Sequence, residues 1–297
     1  MFIVRYRKFF IGLSVLLMLF SVAITTRFGL SFGIDFTGGS VLEVQYPEAR
    51  PEIEDIRSAV AEAGFEGARV QPFGESNIVV RTPELTESQR QDLVAALQIG
   101  DDELIEERFN TIGPTIGNEL RTKAAIAIVV VALAIILFVA WAFRRVSRPI
   151  SSWTYGFTAV LALIHDVIIP IGIFALLGKE IDTLFVVGIL SILGLSVNDT
   201  IVVFDRIREN VREKLKSSDT GTEKFGQLVG LSLKQTMARS INTSLTLLVV
   251  LVILMVFGPV ATRDLALVLL LGTITGTYSS IFFASPLLLA FAGKKKK

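Results

Sequence analysis

The sequence predicts an α-helical membrane protein of six transmembrane helices carrying one small extracytoplasmic α+β domain, and three observations predict it. Of 297 residues, 52% are hydrophobic and the mean hydropathy is +0.62, too apolar for an ordinary water-soluble chain. A helix needs about 20 mostly apolar residues to cross the hydrocarbon core, and six stretches reach that scale: 9–26, 124–143, 153–177, 183–204, 240–258 and 265–292. Between the first and second lies a polar stretch, 29–120, with six Arg against 18 Asp and Glu, a net of −12.

The first span follows Arg5, Arg7 and Lys8. Its apolar run is long for a cleaved signal peptide and no small-x-small site follows, so it reads as a retained anchor. Lys and Arg accumulate in short cytoplasmic segments. Eighteen of the 29 fall on one side of the six-span arrangement: Arg5, Arg7 and Lys8, then Arg144, Arg145 and Arg148, eight between Arg206 and Arg239, and Lys294 to Lys297. That side is expected to be cytoplasmic and to hold both termini. The predicted division is 1–28 for the N-terminal tip and first span, 29–120 for the acidic domain, 121–293 for spans two to six with a cytoplasmic loop at 206–239, and 294–297 for a basic tail. The four excess positive charges of that loop point first to topology and lipid headgroups.

Within the acidic domain, Val41, Glu43 and Gln45 alternate with Leu42, Val44 and Tyr46, a strand pattern ended by Pro47 and Pro51. Ile53, Ile56, Val60 and Ala63 then recur at helical spacing until Gly64. Strands are predicted at 68–73 and 77–82 around a tight Gly74-Glu75-Ser76 turn, a second helix at 86–97 and an edge strand at 103–112. The order βαββαβ is the ferredoxin-like arrangement, two helices on one face of a four-stranded sheet, and so common a fold leaves function open. Gly113-Pro114-Thr115-Ile116-Gly117 is expected to interrupt regular structure before the second span. Gly38, Gly39, Gly113 and Pro114 are hinge candidates, with a plain linker of turn residues as the alternative. Asp35 to Gly39 is no phosphate loop, because no Gly-Lys-Ser/Thr follows.

Nothing in the sequence has the spacing of a nucleotide site, a metal site or a nucleophile–base pair, so no cofactor is expected and the chain does not read as an enzyme. Zero cysteines exclude disulfides and thiolate metal sites. Ionisable residues within the spans are the remaining candidates, because a mid-helix Asp costs roughly 2.5–3.5 kcal/mol to insert and usually faces a protein interior or a water cavity. They are His165 and Asp166 in the third span and Asp199 in the fourth, with Asn198 beside it and Asp205 and Arg239 near the cytoplasmic boundary. Asp199 lies about six residues, roughly 9 Å, from that boundary. A buried Asp that alternately meets and loses a cation can load and release a proton, and Arg239 is the candidate cation. The alternative is an Asp held permanently by Asn198, Thr200 or other hydroxyls.

Asp166 shares a helical face with Ala159, Ala162 and Pro170, a small-residue surface expected to meet another helix. Pro170 cannot donate the hydrogen bond that the Asp166 carbonyl would accept. Either His165 and Asp166 serve a relay or they bond neighbouring helices. Gly188, Ser191, Gly194 and Ser196, with Gly272 and Gly276, favour close helix packing, and Thr273, Thr277 and Ser280 are expected to satisfy one another. The glycosylation-like triplets at Asn198 and Asn242 fall within spans and are false positives.

Gly33-Ile34-Asp35-Phe36-Thr37-Gly38-Gly39, His165-Asp166 and the run from Ser196 to Asn210, SVNDTIVVFDRIREN, carry a resemblance over essentially the whole chain. The sequence resembles the SecD/SecF family of the bacterial Sec translocase, within the resistance-nodulation-division superfamily. The resemblance implies half of such a transporter, working with a SecD-type partner beside the SecYEG channel, with SecA or YajC-type accessory proteins, in the bacterial cytoplasmic (inner) membrane. It implies use of the proton-motive force for late export and release of unfolded polypeptide, with Asp199 at the family's intramembrane acidic position and Arg239 at its basic one. A non-conducting scaffold for SecD and the channel is the alternative, and half of a small-molecule exporter a third reading. No nucleic-acid partner is expected.

Overall fold

The computed structural model describes residues 2–99, 104–142, 150–214 and 222–292. Arg144, Arg145 and Arg148, the basic tail 294–297, and parts of the 206–239 loop and of the predicted 103–112 strand lie outside the described residues. Two compact units form, one of residues Phe32–Ala125 and one of Met1–Ser31 with Ile126–Lys297.

The α+β unit runs β1 Gly39–Gln45, α1 Ile53–Glu62, β2 Arg69–Phe73, β3 Asn77–Thr82, α2 Glu87–Leu97 and β4 Ile105–Ile112. The sheet order is β2-β3-β1-β4, every neighbouring pair antiparallel, which is the ferredoxin-like order. Alternation along the strands makes two faces. Val70, Val80, Leu42 and Phe109 are successive cross-strand partners, and Leu42, Val70 and Val80 pack with Ile56, Val60, Leu93 and Leu97 of the helices in one core. Ala63, placed by its spacing on the apolar stripe, is instead the exposed C-cap of α1. Thr86 caps α2 through a reciprocal pair with Gln89. The Tyr46 hydroxyl donates to the Leu97 carbonyl at 2.9 Å, and burial pushes its pKa up to about 12.

The predicted break at 113–117 does not form. A continuous helix, Pro114–Ala142, starts at Pro114, which suits a first helical turn because its missing N–H has no partner to lose. Gly117 lies inside that helix, where a Cβ would stand 2.8 Å from Gly38 N. Gly38 and Gly39 have φ of +74° and +122°, and a Cβ on Gly38 would meet Pro114 Cα at 2.8 Å. These glycines make a close backbone junction within the unit.

Among the described residues, six helices are long and apolar enough to cross a membrane: Arg7–Phe28, Pro114–Ala142, Ser152–Leu176, Thr183–Lys214, Thr222–Phe257, and a sixth composed of Val260–Tyr278, a π-helical segment Ser279–Ala284 and Ser285–Ala292. The fourth and fifth extend well past their apolar runs. The third and sixth are the most enclosed, 56% and 50% buried in their apolar windows, against 6% for the second. Ala159, Ala162 and Pro170 are buried, as their spacing predicted.

Glycines set the close approaches of the helices. A Cβ on Gly272 would lie 2.1 Å from Ile192 Cγ1, one on Gly188 2.3 Å from Val268 Cγ1, and one on Gly276 3.2 Å from Ser196 Cβ, so the fourth and sixth spans need all three. Gly194 has open space around it, contrary to its expected packing role. Gly172 does for the first and third spans what Gly272 does for the fourth and sixth: its Cβ would stand 2.7 Å from Ser21 Cα.

Two tests follow from this packing. Gly172→Val forces backbone apart and is expected to destabilise the detergent-solubilised protein by about 1–3 kcal/mol or more, read as a lower midpoint of thermal aggregation, whereas Gly194→Ala leaves that midpoint unchanged. Glu43 is buried on the sheet face opposite the core, and burial holds its carboxyl above the ordinary value of 4.5 against the opposing pull of Arg108. A raised folded-state pKa means that stability is fully present below the unfolded value and lost as pH rises through the folded one. Glu43→Gln should therefore stabilise this unit at pH 7 and change little at pH 4. Labelling of a cysteine placed at Val70 during urea unfolding would measure it, since the chain has no cysteine of its own.

Candidate functional site

The third span carries His165 and Asp166 into the middle of the helical unit, both without exposed surface. The two Asp166 oxygens are served separately. Oδ1 lies 2.8 Å from His165 Nδ1, which carries the hydrogen when the carboxylate is ionised. Oδ2 accepts from the Ser196 hydroxyl of the fourth span and, at 2.7 Å, from the Ser279 hydroxyl of the sixth. Ser196 was read from sequence only as a small packing residue, and Ser279 was missed. One signal for Ser196 was available: it stands three residues before Asp199, on the same face of the helix.

The carbonyl of Asp166 is the one that Pro170, inside the helix, cannot satisfy. The Thr275 hydroxyl of the sixth span approaches it at 3.4 Å, while lying closer to its own-helix carbonyls, 3.0 Å from Leu271 O and 3.1 Å from Gly272 O. The His165 ring is stacked between Tyr278 and Phe283, at 5.8 and 5.3 Å between centroids. Tyr278 in turn accepts from Ser14 of the first span at 3.3 Å. The second ring nitrogen of His165, Nε2, is buried without a hydrogen-bond partner among the described residues.

Ser279 and Ser280 open the π-helical segment, whose wider turn is frequent at functional sites. Adjacent residues there serve different networks: Ser279 bonds Asp166, and Ser280 bonds Thr200 of the fourth span at 3.0 Å. The Ser285 hydroxyl donates to the carbonyl of Ser280, five residues back, at 3.1 Å. Neither the π segment nor its consecutive hydroxyls has a periodicity signature that separates it from an α-helix.

Asp199 sits one turn beyond Ser196 and is half-buried. It borders a cavity of about 330 Å³ shared with Asn198, Ser196, Ser244, Thr273 and Thr277. Its side chain is within 3.5 Å of the Ser244 hydroxyl of the fifth span, and Thr277 donates to Ser244 at 2.6 Å. The mutual satisfaction predicted for Thr273, Thr277 and Ser280 is not what forms: Thr277 bonds Ser244, Ser280 bonds Thr200, and Thr273 bonds its own Leu269 carbonyl. Thr200, considered as a holder of Asp199, is turned to Ser280 instead.

The structure does not bring Arg239 to Asp199. Arg239 is exposed, five residues before Ser244 and so about 7.5 Å further along the fifth helix, and Asp199 forms no ion pair among the described residues. Asp205 pairs with Arg208. Asn198 is exposed on the cavity rim. Of the five candidates, then, His165 and Asp166 are in contact, Asp199 and Asn198 share a cavity whose wall includes the Ser196 that bonds Asp166, and Arg239 stands apart. Gly38, Gly39, Gly113 and Pro114 belong to the other unit.

Two family descriptions match: protein export membrane protein SecD/SecF, C-terminal, over residues 93–294, and the SecD/SecF GG motif over residues 22–46. The protein translocase subunit SecF of Thermobaculum terrenum is 41% identical over 308 aligned residues, covering 98% of this chain and 94% of that protein. The subunit of the same name from Vibrio alginolyticus is 35% identical, covering 98% and 90%. Among solved structures, SecDF from Thermus thermophilus, described as a translocon-associated membrane protein, superposes with a TM-score of 0.85 at 32% identity. The match covers 98% of this chain but only 38% of that longer one. A super-membrane-facing form of SecDF matches with a TM-score of 0.68.

The geometry makes one prediction independent of function. Ser279→Ala leaves the buried Asp166 carboxyl one donor short, at an expected cost on the order of 1–3 kcal/mol, whereas Ser191→Ala, at an exposed hydroxyl bonded only to its own helix, costs far less. Thermal unfolding of the two purified variants compares them directly.

Proposed function

The chain belongs to the SecD/SecF family of protein-export membrane proteins, and from that premise we propose that it is the SecF-type subunit of a Sec translocase that uses the proton-motive force to promote late export and release of polypeptides. It is a multi-pass membrane protein. In this reading it acts with a SecD-type subunit, beside SecYEG and its SecA or YajC-type companions, in the bacterial cytoplasmic membrane with both termini inside. The segregation of Arg5, Arg7 and Lys8 and the basic fourth-to-fifth connection supports that orientation.

The observation that carries the proposal is a serine placed between two surroundings: Ser196 bonds Asp166 and lines the cavity that Asp199 borders. Asp199 borders a polar cavity, and Ser196 on its wall bonds the fully enclosed Asp166. In this reading a proton arriving at Asp199 crosses the cavity to Ser196 and so reaches Asp166, and the Asp166–His165 contact offers a second basic group at the inner end. A hydroxyl can accept from one side and donate to the other, which a packing residue such as Ala cannot do. Each charge crossing 100 mV gains about 2.3 kcal/mol, enough to bias a two-state movement. Arg239 enters this reading as a cation that approaches Asp199 in another state of the cycle, in which the fifth helix has shifted. Gly38, Gly39, Gly113 and Pro114, inside the α+β unit, are the hinge candidates of this reading.

A scaffold without proton traffic is favoured by a different observation: Asp199 has no ion-pair partner among the described residues. The two readings part in vesicles reconstituted with the SecD-type partner and the channel. Asp199→Asn and Asp166→Asn are expected to abolish the stimulation of translocation by an imposed proton gradient, and Arg239→Met to reduce it, all at normal protein levels. Undiminished stimulation in the Asp199→Asn variant would leave only the scaffold.

A further inference from the structure

The sheet of the α+β unit has one face packed on α1 and α2 and one face that neither of them covers. Side chains on directly paired residues of antiparallel strands project to the same side, so the register identifies the open face residue by residue. Arg69 pairs with Arg81, Arg81 with Val41, and Val41 with Asn110. The next row on that face pairs Gln71 with Val79, Val79 with Glu43, and Glu43 with Arg108.

Three of the six arginines between residues 29 and 120 therefore stand on one sheet face, in a segment with 18 acidic residues. Glu43 of the second row is buried, and the charges of Arg108, Glu107 and Arg81 all act on it. Like charges directly opposite one another destabilise a sheet, yet Arg69 faces Arg81 across β2 and β3. In a segment so rich in carboxylates, an Asp or Glu at either position would remove the repulsion. A local rule broken in this way is where a functional constraint is expected. Val41 and Glu43 are nearly inaccessible although neither α1 nor α2 covers them, as expected where long arginine stems lie over a sheet. The Arg81 guanidinium is fixed by Gln71, with Nη1 donating to Oε1 at 2.7 Å, while Arg69 and Arg108 are exposed.

We propose that this arginine-bearing face is a docking surface for a carboxylate-rich polypeptide surface, held by charge-assisted guanidinium–carboxylate bonds. Guanidinium forks match carboxylates in planar, bidentate geometry. An anionic bilayer is the poorer match, because a membrane surface meets the field of the whole unit and its net negative charge repels it, whereas a protein seated on the sheet meets the arginines at contact distance.

The test uses the full chain in a neutral detergent with a single introduced cysteine. Asn110→Cys on the open face and Ser58→Cys on α1, both at exposed positions, are labelled with an environment-sensitive dye and titrated with a dodecaglutamate peptide at about 0.15 M salt, where the Debye length of about 8 Å screens the net charge of the unit but not contacts at the sheet. A saturable, salt-sensitive change is expected from the Asn110 position and none from the Ser58 position. The combined variant Arg69→Gln, Arg81→Gln and Arg108→Gln should weaken the response about tenfold or more, and the lysine triple should restore part of it. Arg57→Gln on α1, whose side chain pairs with Glu54, should leave it unchanged. The exposed single variant Arg69→Gln, which removes no buried group, should weaken it measurably and guards against a misfolded triple. Equal responses at the two dye positions, an unchanged titration in the triple and in Arg69→Gln, or a response to phosphatidylglycerol vesicles but not to the peptide would each overturn the proposal.

Discussion

A carboxyl group with no exposed surface has to be solvated by the protein itself, and the packing of the third, fourth and sixth spans is organised by how Asp166 is solvated. Its donors come from three separate helices, His165, Ser196 and Ser279. Hydroxyl side chains are short, so the backbones that carry them must come close. Gly276 opposite Ser196 and Gly272 opposite Ile192 leave that room. The small residues of the fourth and sixth spans and the buried carboxyl group thus belong together: the glycines leave room for the close approach of the helices, and the serine offsets part of the carboxyl group's desolvation.

The π-helical segment solves a related problem. Two polar networks, one around Asp166 and one joining Thr200 to the sixth span, lie side by side, and consecutive serines serve one each. The Asp199 cavity stands next to both yet has a different character. It is wider, lined by hydroxyls that already bond one another, and bordered by side chains that are partly exposed. An enclosed carboxyl group and an accessible one thus have Ser196 as a common neighbour, bonded to the first and lining the cavity of the second.

Much of this was legible in the chain. Strand alternation placed β1 to within a residue and β3 at its exact bounds, because one face of a ferredoxin-like sheet must be apolar at every second position. Six spans followed from length and hydropathy alone. Asp166, Asp199 and His165 stood out because ionisable groups are rare in apolar runs. What was not legible depends on distance in three dimensions. Ser279 looks like any serine near a helix end, and a π turn leaves no trace in residue periodicity. Arg239 has the right charge near the right depth, but its helix phase turns it away from Asp199. Gly113 to Gly117 carries the composition of a break, yet Pro114 at a first turn and Gly117 against Gly38 make it the start of a helix. Gly194 matches the other packing glycines in sequence and differs only in having no neighbour.

Pro170 has a mechanical meaning as well as a chemical one. In an ordinary helix, bending at a given level stretches a backbone bond that pulls the axis straight again. At the level of Asp166 that bond does not exist, and the nearest hydroxyl reaches the free carbonyl from another helix, at 3.4 Å. The third span therefore has one backbone restraint fewer at the level of Asp166, so that bending it there costs less than bending it a turn away on either side.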